Sequence, residues 1–357
     1  MKRPLEVNAE LVLVSCPPLD VLQQRHGPAG ARSRLASGGK LVPNSAVCDW
    51  ALGDASFLDD AVFNLADKEG YPDVLAVVNP FPRDARCVFL ERSHEYFVDG
   101  IKCPWSGTRF SHYCEKGFDA DATLDTYLPR PGWAKGKGLV REDDGMDMDR
   151  EEIKAKWNAN GTIQSRRGTL LHWHIECHLN GYQVAKPHSP EFEMFLTFER
   201  SFLDALGLVP WRVEMNMFHC GLRLAGQADL ICKDGNGKLV ILDWKRSREI
   251  KSKGFRGEMQ RPPLAHLPNA NRHTYNLQLN TYRHILETEY GQEVSAMYIV
   301  VLHPQQAPSG PHVYEVPRME REIELLVHEA HIDLGTSLDN FPGPDAPFDA
   351  IKFPAAR

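Results

Sequence analysis

Two carboxylates and a lysine close a hairpin in the run GQADLICKDGNGKLVILDWKRS, Gly226–Ser247. Apolar stretches flank a turn at Gly235, Asn236 and Gly237. Such a turn places Asp229 opposite Asp243, within one residue. Opposed side chains on one sheet face stand about 5 Å apart. Carboxylates that close repel and hold a proton unless a cation lies between them. Alternation puts Leu239, Ile241, Asp243 and Lys245 on one face and Val240, Leu242 and Trp244 on the other. Both faces stay apolar until the strand ends, the pattern of a central strand. Asp243 and Lys245 then point the same way, about 7 Å apart. An ammonium there can orient or deprotonate a water beside a bound ion. A surface salt bridge at a hairpin end satisfies the same spacing, so the pattern alone leaves both readings open.

Other residues could join that chemistry. In GTLLHWHIE, Gly168–Glu176, His172 and Glu176 lie one helical turn apart on one face. His174 and His178 form a second such pair on another face. An H-x-x-x-H pair suits zinc, and its ordinary reading is two partly exposed helix histidines. Gln278 and Tyr282 in QLNTY also share a helix face, and Tyr282 reads equally well as core packing. Glu214 in WRVEMNM lies on the strand before the hairpin, by itself a solvated strand residue. Cys220 beside His219 offers the parts of a cysteine hydrolase, but neighbours on a strand point to opposite faces. After Lys245, RSREIKSKGFRGEMQR carries Arg246, Arg248, Lys251, Lys253, Arg256 and Arg261 against Glu249 and Glu258. That run is either a solvated loop or a clamp on a phosphate backbone, with Phe255 as a candidate for base stacking. Arg166, Arg167 and the WAKGKG segment are further candidates for the same groove.

The elements that must position these residues follow from period and punctuation. RCVFLERSHEYFVDGIKCPW predicts two strands joined by a turn at Asp99-Gly100. SGTRFSHYCEKGFDADATLD reads as a helix and its entry, and PRPGWAKGKG as a break. MDREEIKAKWNANG predicts a charged helix ending at Gly161, and SRRGTLLHWHIECHLNG a second helix stopped at Asn180-Gly181. PEFEMFLTFERSFLDALG predicts a third, with Pro190 in its first turn. PWRVEMNMF alternates like a strand. After the hairpin come a helix over Arg272–Gly291, a buried strand in VSAMYIVVLHP and a last helix over Arg321–Gly335. This order predicts an α/β core with a mixed sheet. Before Arg86, GPAGARSRLASGGK reads as a loop and SFLDDAVFNLADKEG as a short helix.

Bulk properties narrow the class. The 357 residues are 42% hydrophobic and 25% charged, enough for a globular core. No apolar run reaches the roughly 18 residues of a membrane helix, and the first apolar run is short for a signal peptide. A soluble, intracellular protein with no membrane partner is expected. The eight cysteines are scattered without a C-x-x-C pair, which argues against a zinc ribbon and for reduced core thiols. A net charge of -7 argues against a chain that coats nucleic acid, while leaving room for a local basic groove.

Taken in order, the pieces resemble the PD-(D/E)XK nuclease superfamily in its RecB-like exonuclease branch. That branch carries G-x-x-x-H-x-x-x-E on a helix, G-x-x-D on a strand, D/E-x-K on the next strand and Q-x-x-x-Y on a helix. Here these are Gly168, His172 and Glu176, then Gly226 and Asp229, then Asp243 and Lys245, then Gln278 and Tyr282. The resemblance covers roughly Gly161 to Pro304. The segment HEYFVDGIKCPWSGTRFSHYCEKGFD more weakly resembles a lead-in before RecB-like domains of some large DNA viruses and eukaryotes.

The resemblance implies a restriction-endonuclease-like core with a central mixed β-sheet flanked by helices over 161–357. Lead-in strands and helices over 86–160 pack on it, and 1–85 is an N-terminal extension. It implies hydrolysis of DNA phosphodiester bonds with one or two Mg²⁺ or Mn²⁺ ions. Asp229 would be the central metal ligand and Asp243 the second carboxylate. The backbone carbonyl of Trp244 completes that site, and His172 is a ligand to a second ion. Lys245 would position or activate water and stabilise charge on the phosphate. Glu214 would lie close to the metals, and Gln278 and Tyr282 would support the lysine or contact nucleic acid. The branch favours an exonuclease on single strands or DNA ends, in repair or recombination, over a structure-specific endonuclease. A catalytically silent nucleic-acid-binding module is disfavoured because Asp229, Asp243 and Lys245 are all present. Several RecB-like nucleases hold an iron–sulfur cluster on cysteines near the C-terminus. No cysteine follows Cys232, so no such cluster is expected. No Walker A loop marks a fused motor.

Overall fold

The computed structural model describes residues 13–14, 47–48, 73–91, 93–184, 186, 188–306 and 309–334. The loop expected at 27–40 and the helix expected at 56–70 lie outside them. In chain order the elements are β1 (Leu13–Val14), β2 (Val47–Cys48), α1 (Val74–Val78), β3 (Cys87–Leu90), β4 (Glu95–Val98), β5 (Ile101–Lys102) and β6 (Trp105–Ser106). Then come α2 (Gly107–Ser111), α3 (Ala120–Tyr127), α4 (Trp133–Gly136), α5 (Arg150–Leu179), β7 (Gln183–Val184) and α6 (Pro190–Phe198). The chain closes with β8 (Val209–His219), β9 (Leu224–Lys233), β10 (Leu239–Lys245), α7 (Asn271–Glu289), β11 (Val294–Val301), β12 (His312–Glu315) and α8 (Glu320–Leu334).

The expected mixed sheet is present. Its strands run β1–β12–β11–β10–β9–β6, and β8 also pairs with β9. β10 and β11 are parallel, and α7 makes the crossover between them. The hairpin register is the expected one, pairing Leu239 with Lys233 and Leu242 with Leu230. A strand has two edges. β8 fills one edge of β9, from Leu224 to Lys233. The other edge is shared, because β10 pairs with residues 230–233 and β6 with Leu224 and Ala225. Residues 226–229 therefore lie between two partners, where the sheet edge opens.

Both faces of β10 are buried. Ile241 joins Leu277, Ile285 and Leu286 of α7 in the main core. Trp244 turns to the other face, where its ring meets Phe195 and Phe198 edge-on at 5.4 and 5.6 Å. Charge is tolerated on this strand only at its exit from the core, as its alternation predicted.

Residues Lys116–Leu170 form a compact unit of their own, and the sheet belongs to the other. In the smaller unit Leu124, Ala134, Leu139 and Ile153 bury together. Arg150 pairs with Asp121 at 3.1 Å and with Asp125, and Lys154 pairs with Asp121 at 2.6 Å.

Three local expectations change. The two helices expected on either side of Gly161 are one 30-residue helix, α5. Glycine inside a helix costs about 1 kcal/mol against alanine but still supplies its N–H and C=O. Gly161 and Gly168 weaken the helix without breaking it, and a Cβ at either would meet nothing within 4 Å. PRPGWAKGKG is not a pure break but holds α4 between Gly132 and Gly138, both at positive φ. The turn at Asp99-Gly100 is present, with φ of 51° and 80°, but it joins the second and third strands of a three-stranded meander. β12, four residues long, was too short to show a period.

Candidate active site

Where β9 and β10 part, main-chain pairing gives way to side chains. The pairing runs to Leu242 and Leu230. The next N–H of β10 to point across, from Trp244, donates to Asp229 Oδ2 at 2.7 Å. Asp229 thereby caps the ladder, and its Oδ1 faces His172 Nδ1 at 3.6 Å. Glu214 lies opposite Asp229 in the register of β8 on β9, between Val213↔Leu230 and Met215↔Ala228. Its backbone has φ +44°, a left-handed value that a non-glycine residue rarely holds inside a strand. Such strain persists where surrounding structure enforces it, and it gathers at functional sites. The Gln227 side chain donates to the Glu214 carbonyl at 3.1 Å, which fixes this kink. Glu214 Oε1 then lies 3.4 Å from His172 Nδ1.

His172, Glu214 and Asp229 each offer a ligand atom, and the three atoms lie within 4.8 Å of one another. Among the described residues no other group of histidines, cysteines and carboxylates meets that condition. Burial opposes charge on His172, but Asp229 and then Glu214 outweigh it and raise its pKa to about 9. Burial pushes the Asp229 carboxyl above its ordinary value, against the pull of His172.

Asp243 pairs with the lysine. Its side chain is 2% exposed, and Oδ2 lies 2.7 Å from Lys245 Nζ. Burial pushes this carboxyl up to about 6, against Lys245 and aided by Asp229. The surface salt bridge is thus replaced by a buried pair. Lys245 Nζ also donates to Gln278 Oε1 at 3.0 Å. Gln278 Nε2 in turn donates to Tyr282 Oη at 3.0 Å. Burial works against the Lys245 ammonium, but Asp243 and Asp229 prevail and raise its pKa.

Tyr282 is core and site at once. A Cβ built on Gly226 would lie 2.6 Å from its ring, and one on Gly107 2.5 Å. Gly226, the first residue of the G-x-x-D piece, makes room for that ring. Gly107, from α2, lies against the same edge of the ring and was not singled out in the sequence. Its only signal is a glycine at a helix start after a serine cap, Ser106.

The remaining candidates disperse. Glu176 is buried and lies outside the three-ligand group. His174 is fully buried against Phe192 rather than partly exposed, and His178 pairs with Glu199 at 2.9 Å. Cys220 turns its thiol toward Arg83 at 3.6 Å, while His219 faces Glu289 at 3.2 Å. Cys87, Cys103, Cys114, Cys177, Cys220 and Cys232 are buried and form no disulfide. Arg246 forms a buried pair with Glu191 at 2.7 Å. Arg248, Lys251, Lys253 and Arg256 are exposed. Arg166 and Arg167 lie on α5 within the smaller unit.

The donor set fits a divalent ion. Two carboxylates and an imidazole supply oxygen and nitrogen in the mix that Mg²⁺ and Mn²⁺ accept. Glu214 Oε1 and Asp243 Oδ2 are buried and accept no hydrogen bond of good geometry, and each lies beside a cationic side chain, His172 and Lys245.

An open mixed sheet thus carries a carboxylate pair and a lysine at one strand end. The chain matches the model of the PD-(D/E)XK nuclease superfamily over residues 139–350, more than half its length, and it belongs to that superfamily. Members are mostly nucleases that use divalent metals, so membership suggests a metal-dependent nuclease with a nucleic-acid substrate. No curated protein matches the chain. Among solved structures, one titled "Crystal structure of SSO0001" is similar at 18% identity, covering 51% of this chain and 68% of that one with a TM-score of 0.26. Among the described residues no helix is long and apolar enough to cross a membrane.

Proposed function

We propose that this chain is a RecB-like deoxyribonuclease that degrades DNA from ends or along single strands. One observation carries the reading: three metal-capable side chains converge beside a lysine held by Asp243 and Gln278. His172, Glu214 and Asp229 would hold a divalent ion, with Asp243 and the Trp244 carbonyl serving it as well. When bound, Mg²⁺ or Mn²⁺ polarises a phosphoryl oxygen and eases loss of a proton from water. Lys245 orients the attacking water and offsets charge that builds on the phosphate. Gln278 keeps the ammonium aimed, and Tyr282 keeps Gln278 in place.

The loop after Lys245 supplies the DNA contact. Lys251 and Lys253 attract phosphates. Phe255 is 64% exposed, with the Arg256 guanidinium 5.3 Å from its ring centroid. An exposed ring beside cations suits an unstacked base, which favours single strands. Backbone bonds hold this loop to its surroundings, from Lys251 to the Asn271 side chain at 2.7 Å and from Asn269 to Glu258 at 2.8 Å.

Incubation with labelled single-stranded, linear duplex and circular DNA, with Mg²⁺, Mn²⁺ or EDTA, tests the reading. Metal-dependent loss of linear and single-stranded DNA is expected, with circular duplex spared. Cleavage that survives EDTA overturns the metal chemistry. Binding without cleavage in every condition makes the chain a silent binding module.

A further inference from the structure

The Lys245 ammonium meets a third group that neither the carboxylate pair nor the Q-x-x-x-Y piece includes. Its Nζ lies 4.8 Å from the centroid of the Tyr275 ring, within cation–π range. Tyr275 sits on α7 one turn before Gln278, and residues 275, 278 and 282 fall on one stripe of that helix. The ring is partly buried and packs against the main core, so its face is fixed.

A lysine ends in a point charge on a flexible four-carbon stem. Two contacts, Asp243 Oδ2 at 2.7 Å and Gln278 Oε1 at 3.0 Å, define a line about which the ammonium can still swing. A third contact off that line fixes its position. An aromatic face does this by attracting the charge without consuming a hydrogen-bond donor. An ammonium has three donors, and with two engaged the third is left for water or phosphate. A carboxylate or amide in the same place would take that donor.

We propose that Tyr275 is a positioning residue for Lys245, its ring face holding the ammonium in the attitude that hydrolysis needs. The assignment rests on the nuclease reading for its effect on turnover, but its geometry can be checked separately. The ring, not the hydroxyl, does the holding.

The test replaces Tyr275 by Leu and Phe, and by phenylalanines carrying one, two or three ring fluorines, in the full chain. Fluorination weakens the negative ring face at nearly constant shape. With Mn²⁺ and single-stranded DNA, Tyr275→Leu is expected to lower kcat roughly tenfold with KM unchanged. Tyr275→Phe keeps wild-type kcat, and kcat falls stepwise with fluorine number. Wild-type kcat in Tyr275→Leu, a Phe variant as poor as Leu, or a flat fluorine series overturns the proposal. A second measurement needs no turnover. With ¹³C-labelled lysine, the Lys245 ε-methylene proton signals should lie upfield in wild type and Tyr275→Phe and return to ordinary values in Tyr275→Leu. An inactive wild type that shows the shift sinks the nuclease reading and leaves the contact standing. Absence of the shift removes the contact whatever the activity.

Discussion

Two buried carboxylates in this molecule each face a cation, and their surroundings differ. Glu289, at the end of α7, receives Arg83 Nη2 on Oε2 at 2.9 Å and His219 Nδ1 near Oε1 at 3.2 Å. Arg83 also donates to the Phe218 and Glu289 carbonyls and lies over the rings of Phe218 and Tyr290 at 4.1 and 4.8 Å. Both oxygens have partners and the cation is rigid. Asp243 has a flexible lysine, and its Oδ2 accepts no hydrogen bond of good geometry. Glu214 nearby adds a strained backbone and another buried oxygen without a hydrogen bond. The first cluster closes on itself. The second leaves capacity for something that is not protein.

Breaking each cluster should therefore damage different properties. Glu289→Ala leaves Arg83 buried without its carboxylate and should cost about 3–5 kcal/mol of stability, read by urea unfolding, with activity per folded molecule kept. Lys245→Ala should act chiefly on turnover, lowering kcat about 10²–10³-fold, with a smaller loss of stability than Glu289→Ala because burial already pushes the Asp243 carboxyl up to about 6. Equal effects on both properties in either variant would erase the contrast. Mn²⁺ at a hundred times its Kd should stabilise the wild type by about 2.7 kcal/mol, seen as a rise in Tm. Glu214→Gln should lose most of that rise, while Glu289→Gln should keep it. Gly226→Ala pushes a methyl into the Tyr282 ring and should cost about 1–3 kcal/mol, with a loss of kcat that Lys245→Ala does not deepen further.

The smallest effect concerns acid. Burial, then His284, His331 and Arg83, hold the His219 pKa well below 6.5, and burial lowers that of His284 too. The unfolded chain binds those protons first, so stability present above about 6.5 declines as pH falls below it. Burial raises the Glu289 carboxyl and offsets part of this decline. His172 and Asp243, whose pKa values are raised to about 9 and about 6, act in the opposite sense. The test is therefore the comparison: between about pH 7.5 and 5.5 the loss of Tm should be smaller, or the gain larger, in His284→Gln than in wild type.

Much of this was legible in the chain. The alternation in LVILDWK placed Asp243 and Lys245 on one face, and the turn around Asn236 set a register that holds to the residue. His172, Gln278 and Tyr282 came from the ordered motif pieces, and the structure brings them to one place. What escaped was tertiary. The register puts Asp229 opposite Asp243 as expected, but its contacts with Trp244 N–H, His172 and Glu214 were not legible, since they follow from the ladder ending one pair earlier. Glu214 was placed near the metals only by the resemblance, and its left-handed φ had no sequence signal. Gly161 read as a stop because glycine is common at helix ends, while the cost of one mid-helix is small against a long helix's packing. Arg246 stood among exposed cations in sequence, yet it is the one whose side chain is buried with Glu191. Tyr275 and Gly107 carry no local signal, since each matters only through a side chain distant in sequence.

The shared edge of β9 also bears on how the chain becomes competent. Gly107 reaches Tyr282 through β6, whose Trp105 pairs with Leu224 across more than a hundred intervening residues. Contacts of such long sequence separation close late, because the chain entropy of the loop is lost before they form. The superfamily match begins at residue 139, beyond Gly107. A fragment trimmed to that match would hold every proposed ligand and the lysine, yet lack Gly107, one of the two glycines packed against the Tyr282 ring. During refolding, turnover should lag behind burial of Trp244, because the centre matures only when β6 docks on β9.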